Sequence, residues 1–388
     1  MCISLAGLCV VLCGLPPATA LLPTAANISY TGRWDLTTDP QNPTFSWAST
    51  QFAFRIIASA VDGSFTPPSD GMRLLVLVDG VEHAIHKVKG GRQNVPLAKG
   101  LSRGLHSISV WKVTEDNTQQ GSQGVATFHG LSLPSGGSWA APPPRPTRRL
   151  EFVGDSDTAG WCADGDKKSG DAADKEEDSY RTWARQLSSA LNAEMMAEAI
   201  SGYGVSKSST PIQPCATRTH PFLAGSSWDF TSWTPDGIVL LIGPNDERRR
   251  RLKGAEIGLG GKSFIKDYLD LMAVYVTAYA HLPRMAKPKM IHVCGGSLNG
   301  LDPCPDIKEA IAQFNTAHAE AGDGWVSSFT SITKAHWHMI NANSGRSEYN
   351  GCDGHYNKKG HAILAADILP DLRRILGWDQ EALKLAEA

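Results

Sequence analysis

Ser156 lies in the stretch Leu150-Glu151-Phe152-Val153-Gly154-Asp155-Ser156-Asp157-Thr158-Ala159-Gly160, where an apolar run gives way to glycine, an acid, serine and small residues. That order reads as a buried strand breaking into a tight turn with the serine raised at its end. Doubly wound α/β enzymes place reactive groups at the carboxyl ends of parallel strands, where loops shape a site. A serine there is a candidate nucleophile for acyl transfer. Such chemistry also needs a base for the serine proton and donors for the developing oxyanion. After the 195–200 run comes Ser201-Gly202-Tyr203-Gly204, where Gly202 offers a backbone N–H. After the 238–242 run comes Gly243-Pro244-Asn245-Asp246, where Asn245 offers a side-chain amide. His355 is the candidate base, in the glycine-bounded loop Gly351-Cys352-Asp353-Gly354-His355-Tyr356-Asn357 before the final helix. Taken singly, each cluster is an ordinary turn after a strand. His336 and His338 alternate as on a strand with no acid nearby, which suits a structural role better than a metal site.

The elements that must hold these residues fall into two textures. From about residue 30 to 133, short runs rich in β-branched, aromatic and leucine residues (52–57, 72–78, 107–113) alternate with Pro67-Pro68, Asp79-Gly80, Gly90-Gly91 and Gly121. No helical period appears there, so this part is expected to be a β-sandwich, residues 27–134. Residues 135–148, with Pro142-Pro143-Pro144, read as a semi-rigid linker. Beyond it, strands at 150–153, 195–200, 238–242 and 289–293 alternate with helices at 179–191, 264–282, 307–321 and 359–376. That alternation predicts a mostly parallel sheet covered on both faces, an α/β domain at 149–378 followed by a tail at 379–388. The charged stretch 163–178 reads as a solvated insertion and Arg248 to Arg251 as an exposed basic run, the alternative being that it lines the site mouth and steers anionic substrate.

The chain has 388 residues, 41% hydrophobic and 20% charged, enough apolar material for two cores. A net charge of -2 gives no electrostatic reason to bind nucleic acid or an anionic membrane. Residues 1–20 read as a secretory signal, an apolar run ending in Ala18-Thr19-Ala20. Secretion makes disulfides plausible among Cys162, Cys215, Cys294, Cys304 and Cys352, with Cys294–Cys304 the favoured pair. Asn27-Ile28-Ser29 is an acceptable glycosylation sequon. The eleven tryptophans serve core packing or sugar stacking, which sequence alone does not separate.

The order Gly154-Asp155-Ser156, Gly202, Asn245-Asp246, His355 resembles the four blocks of the SGNH (GDSL) hydrolase superfamily. The resemblance extends to carbohydrate esterase family 2. In the sandwich it is carried by Tyr30-Thr31-Gly32-Arg33-Trp34, Val78-Asp79-Gly80, Leu105-His106-Ser107 and Lys112-Val113-Thr114-Glu115. It implies a jelly-roll-like sandwich before an α/β/α hydrolase, and a secreted serine esterase removing O-acetyl groups from xylan- or mannan-type polysaccharides. It further implies Ser156 as nucleophile, His355 as base, and an oxyanion hole of the Ser156 N–H, Gly202 N–H and Asn245 Nδ2, with Asp155 structural. The superfamily's usual acid position, three before the histidine, is Cys352 here. The third member is therefore either Asp353 or a backbone carbonyl behind a Ser–His dyad. The usual proline after the histidine is Tyr356. No cofactor or metal is implied; the expected partner is acetylated poly- or oligosaccharide and the expected state a monomer. Alternatives are a lipid or thioester hydrolase on the same scaffold, and a catalytically idle carbohydrate-binding protein.

Overall fold

The computed structural model describes residues 19–115, 124–165, 176–206, 209–247, 261–294, 303–333, 348–352 and 354–379. The first part is a sandwich of two antiparallel sheets. One runs in the order Trp34–Asp35, Thr44–Phe45, Ala126–Leu133, Ala60–Thr66, Gln93–Lys99, with Thr19–Leu21 also on Ala126–Leu133. The other runs Ser138–Ala140, Gln51–Ile57, Leu105–Lys112, Met72–Val78, Val81–Val88, with Ile28–Thr31 also on Gln51–Ile57. Alternation drives it: Phe52, Phe54 and Ile56 point inward from one strand and meet Phe65 and Phe128 from the facing sheet.

Met72–Val78 departs from that alternation, and its second face explains how the two parts meet. Met72, Leu74 and Val76 fill the sandwich, whereas Leu75 and Leu77 join Trp111 and Val113 in a core shared with Phe152, Trp183 and Leu187 of the second part. The sandwich thus packs broadside on the α/β layer rather than hanging from the proline-rich connection.

The second part is a five-stranded sheet, ordered Ala193–Ala199, Arg148–Gly154, Gly237–Leu241, Lys289–Cys294, Ser327–Ser331, every pair parallel. Successive residues serve opposite faces: Phe152, Val239 and Ile291 pack under helices Trp183–Ala190 and Lys358–Leu376. Val153, Leu240 and Met290 pack under Gly261–Ala278 and Cys304–Ala321. This is the α/β/α layering expected from the sequence.

Three local expectations change. Ser327–Ser331 supplies a fifth strand at a sheet edge. The helix expected over 179–191 is a 3-10 turn, Ser179–Arg181, and a separate α-helix, Trp183–Ala190, divided at Thr182. The charged stretch 163–178 is not simply solvated: Ala163, Glu177 and Asp178 are buried. Arg73 of the sandwich binds the Glu177 carbonyl (2.6 Å) and Asp164 (3.3 Å), which ties its ends down. Arg248 to Arg251 lie outside the described residues.

Arg33 crosses between the two parts. Fully buried, it pairs with Glu151 and Glu198 of adjacent parallel strands, both at 3.0 Å. It also donates to the carbonyls of Ala216 (2.7 Å) and Arg218 (2.9 Å). Tyr279 donates its hydroxyl to Glu151 (2.7 Å), and the rings of Trp47, Trp228 and Phe230 surround the guanidinium. Burial pushes the Glu198 carboxyl well above its usual range, against the pull of Arg33.

Candidate active site

The strand Arg148–Gly154 ends at a glycine because nothing larger fits: a Cβ on Gly154 would collide with Thr158 and crowd the Leu241 carbonyl. Asp155 then caps the one-turn helix Ser156–Ala159, accepting the Asp157 N–H at 3.2 Å. Ser156 therefore opens that helix at the carboxyl end of the parallel sheet.

Ser156 Oγ lies 2.9 Å from His355 Nε2 although 199 residues separate them. Two anchors bring the histidine loop there. The disulfide Cys162–Cys352 joins it to the segment just after the Ser156–Ala159 helix. Within the loop, His355 N–H donates to the Cys352 carbonyl (3.0 Å) and Gly351 N–H to the His355 carbonyl (2.8 Å). Asn357 caps the closing helix, accepting from Lys359 and Gly360 N–H, and so fixes where the loop ends.

Asn245 and the loop that carries Gly202 come together beside the Asp155-Ser156 turn. Asn245 Nδ2 donates to Asp155 Oδ2 (3.1 Å) and the Tyr203 carbonyl (2.9 Å), so it touches both the Ser156 turn and the Gly202 loop. Gly202 has φ +79, a left-handed conformation that disfavours a side chain, and the space around its Cβ position is open. The loop is held from beneath by Asp246, which accepts the N–H groups of Val205 and Ser206 (2.9 Å each) and the hydroxyls of Ser206 (2.6 Å) and Ser209 (2.7 Å).

Burial pushes the Asp155 carboxyl well above its usual range, reinforced by Asp157 and Asp246. Asp157 is also raised by burial, but His355 and the Tyr356 N–H pull it down. Asp157 thus lies within electrostatic reach of the histidine. Asp353, the acid expected from the sequence, lies outside the described residues. Behind the loop, His361 on the closing helix is buried and its pKa falls to about 3, through burial and then the neighbouring His355.

Sequence reasoning quoted Asp246 and Asp157 without assigning them a role, and their adjacency to Asn245 and Ser156 was the available signal. Glu115 belongs to the quoted Lys112-Val113-Thr114-Glu115 motif, but nothing local to it signals its contact: its carboxylate reaches from the sandwich to the Ser201 N–H at 2.7 Å. Cys294–Cys304 pairs as expected, whereas Cys162–Cys352 went unforeseen and Cys215 is a buried free thiol. His336 and His338 lie outside the described residues; among the described residues no group of three or more His, Cys, Asp or Glu is placed to hold a metal ion. Among them, too, no helix is long and apolar enough to cross a membrane.

Comparison with known proteins agrees with this layout. Residues 30–143 match the carbohydrate esterase 2 N-terminal family, and residues 152–363 the GDSL-like lipase/acylhydrolase family. A cellulase/esterase, CelE, of Acetivibrio thermocellus is 27% identical over 364 residues, covering 90% of this chain and 40% of that protein. The chain therefore spans less than half the length of that relative. A family two carbohydrate esterase from Clostridium thermocellum, solved with cellohexaose, has a TM-score of 0.73 at 24% identity, over 90% of this chain and 99% of that one. An acetyl xylan esterase from the rumen bacterium Butyrivibrio proteoclasticus has a TM-score of 0.73 at 18% identity, over 93% and 99% of the two chains. At these identities the structural likeness establishes a shared fold.

Proposed function

Because the chain belongs to carbohydrate esterase family 2, with a hydrolase half of the GDSL-like type, we propose that it removes O-acetyl groups from plant-wall polysaccharides of the xylan or mannan type. The observation that carries this reading is the 2.9 Å contact between Ser156 Oγ and His355 Nε2 at the carboxyl end of the parallel sheet. His355 takes the Ser156 proton as Oγ attacks the acetyl carbonyl, giving a tetrahedral oxyanion. The N–H groups of Ser156 and Gly202 and the Asn245 amide receive its charge. Asn245 meets the oxyanion by sharing an N–H that otherwise rests on Asp155 or Tyr203. The intermediate collapses as His355 protonates the departing sugar oxygen, leaving acetyl-Ser156; His355 then takes a proton from water, which attacks that ester and releases acetate and free Ser156.

Trp161, partly buried against the Cys162–Cys352 bridge, is the aromatic residue we propose for stacking on a sugar ring. Two disulfides support an extracellular setting for the mature chain. The test is acetate release from acetylated xylan and mannan by the wild type and Ser156→Ala, with acetyl and octanoyl esters compared in parallel. Activity in Ser156→Ala would overturn the nucleophile assignment. A preference for octanoyl esters would point to a lipid hydrolase instead.

A further inference from the structure

The site described above takes most of its parts from the α/β layer, yet one comes from the sandwich. Glu115 stands three residues beyond the strand Leu105–Lys112, and its Oε2 accepts the Ser201 N–H at 2.7 Å. Ser201 is the residue immediately before Gly202. The loop is held again at the Tyr203 carbonyl by Asn245 and at the Val205 and Ser206 N–H groups by Asp246. Gly202 therefore lies between two fixed points, and with φ +79 the direction of its N–H follows from where they are held.

We propose that Glu115 is a positioning residue for the oxyanion hole, through which the sandwich domain sets the aim of the Gly202 N–H. The inference rests on the reading of Ser156 as nucleophile and Gly202 as oxyanion donor. A carboxylate suits the task because a hydrogen bond to an ionised acceptor is roughly twice as strong as a neutral one. The Glu115 segment is itself braced. Its own N–H donates to the Glu177 carboxylate, Lys112 Nζ donates to the Thr114 carbonyl (2.5 Å), and Arg73 holds the Glu177 carbonyl (2.6 Å).

The carboxyl sits among titratable neighbours on every side: Lys112 on its own strand, Glu177 before the 3-10 turn, Arg73 beyond Glu177, and the Tyr203 phenol on the loop it holds. Burial pushes Glu115 up to about 7, while Ser201 and Lys112 pull the other way. Its charge is therefore present above that pH and lost below it. The strong form of the Ser201 contact exists on the alkaline side.

The experiment compares wild type, Glu115→Ala, Glu115→Gln and Ser156→Ala on 4-nitrophenyl acetate, at pH values well below and well above 7. Losing an oxyanion donor outright costs roughly 100- to 1,000-fold in kcat. A donor misaimed rather than removed should cost less, so Glu115→Ala is expected to lose about 10- to 100-fold in kcat with KM nearly unchanged. Glu115→Gln keeps an acceptor for Ser201 but never the charge. It should match wild type on the acid side and fall behind as pH rises through the Glu115 transition. A purely structural glutamate would give a wild-type to Gln ratio that does not change with pH, and that result overturns the proposal. If Glu115→Ala does not fold, the Gln ratio alone decides. A Ser156→Ala protein as active as wild type would overturn the underlying reading of the site. An inactive Ser156→Ala beside unimpaired Glu115 variants would overturn this inference alone.

Discussion

Replacing both Cys162 and Cys352 by serine should damage stability and catalysis together, whereas replacing Cys294 and Cys304 should damage only stability. The two bridges span very different lengths of chain, 190 residues against 10. Constraining the unfolded chain over such loops is worth about 5 kcal/mol for the long one and about 3 kcal/mol for the short one. Urea unfolding of the two double variants should therefore place the Cys162–Cys352 variant lower by roughly 2 kcal/mol. Both cysteines of a pair are changed at once so that no thiol is left to exchange with the buried Cys215. Catalysis separates the bridges further. Cys352 accepts the His355 N–H on its carbonyl, and its sulfur ties that turn to the segment after Ser156. Measured where each variant is still folded, kcat on an acetyl ester should fall for Cys162→Ser/Cys352→Ser and hold for Cys294→Ser/Cys304→Ser. Equal stability losses, or a fully active and folded Cys162→Ser/Cys352→Ser protein, would refute the view that this bridge holds the base in place.

Arg33→Ala leaves Glu151 and Glu198 buried without their cation, and breaking such a buried pair costs about 3–5 kcal/mol; denaturant unfolding reads the loss. Asn245→Ala should lower kcat by roughly 100- to 1,000-fold with a small change in KM, as removal of one oxyanion donor does; steady-state kinetics on an acetyl ester check it. Asp353→Asn should cost less than about tenfold if a dyad operates, against about 10,000-fold for a carboxylate that sets the histidine tautomer; kcat of the purified variant, beside Asp157→Asn, distinguishes the two.

The order of sandwich then α/β layer, and four of the five strands of the parallel sheet, were legible because local composition carries them. The 238–242 run is almost wholly apolar, as a strand buried on both faces must be. Ser327–Ser331 escaped notice because it is an edge strand of serine, threonine and one exposed phenylalanine, with only Ser327 and Thr330 buried. The break at Thr182 is likewise hidden, since both halves of that helical stretch share one apolar face. Strand-end position and residue type single out Ser156, Gly202, Asn245 and His355, and the structure brings Ser156 to His355 and Asn245 to the loop that carries Gly202. What supports them was not legible. Glu115 meets Ser201 across 86 residues of sequence, and Cys162 meets Cys352 across 190. No window of sequence reports a contact between segments so far apart, whether across two domains as for Glu115 or within one as for the bridge. The charged stretch 163–178 misled for the same reason, because Arg73, which buries its end, lies in the other domain.

Arg33 also bears on modularity. Its guanidinium belongs to the sandwich, but the carboxylates it neutralises belong to two neighbouring strands of the hydrolase sheet. Excising the sandwich would leave a hydrolase fragment with a pair of acids facing an emptied socket, and the excised sandwich would carry a bare apolar flank. Chimeras that exchange one half between relatives will need to carry the matching arginine or acids with them. The proline-rich connection is the convenient place to cut this gene, but it is not a seam in the folded protein.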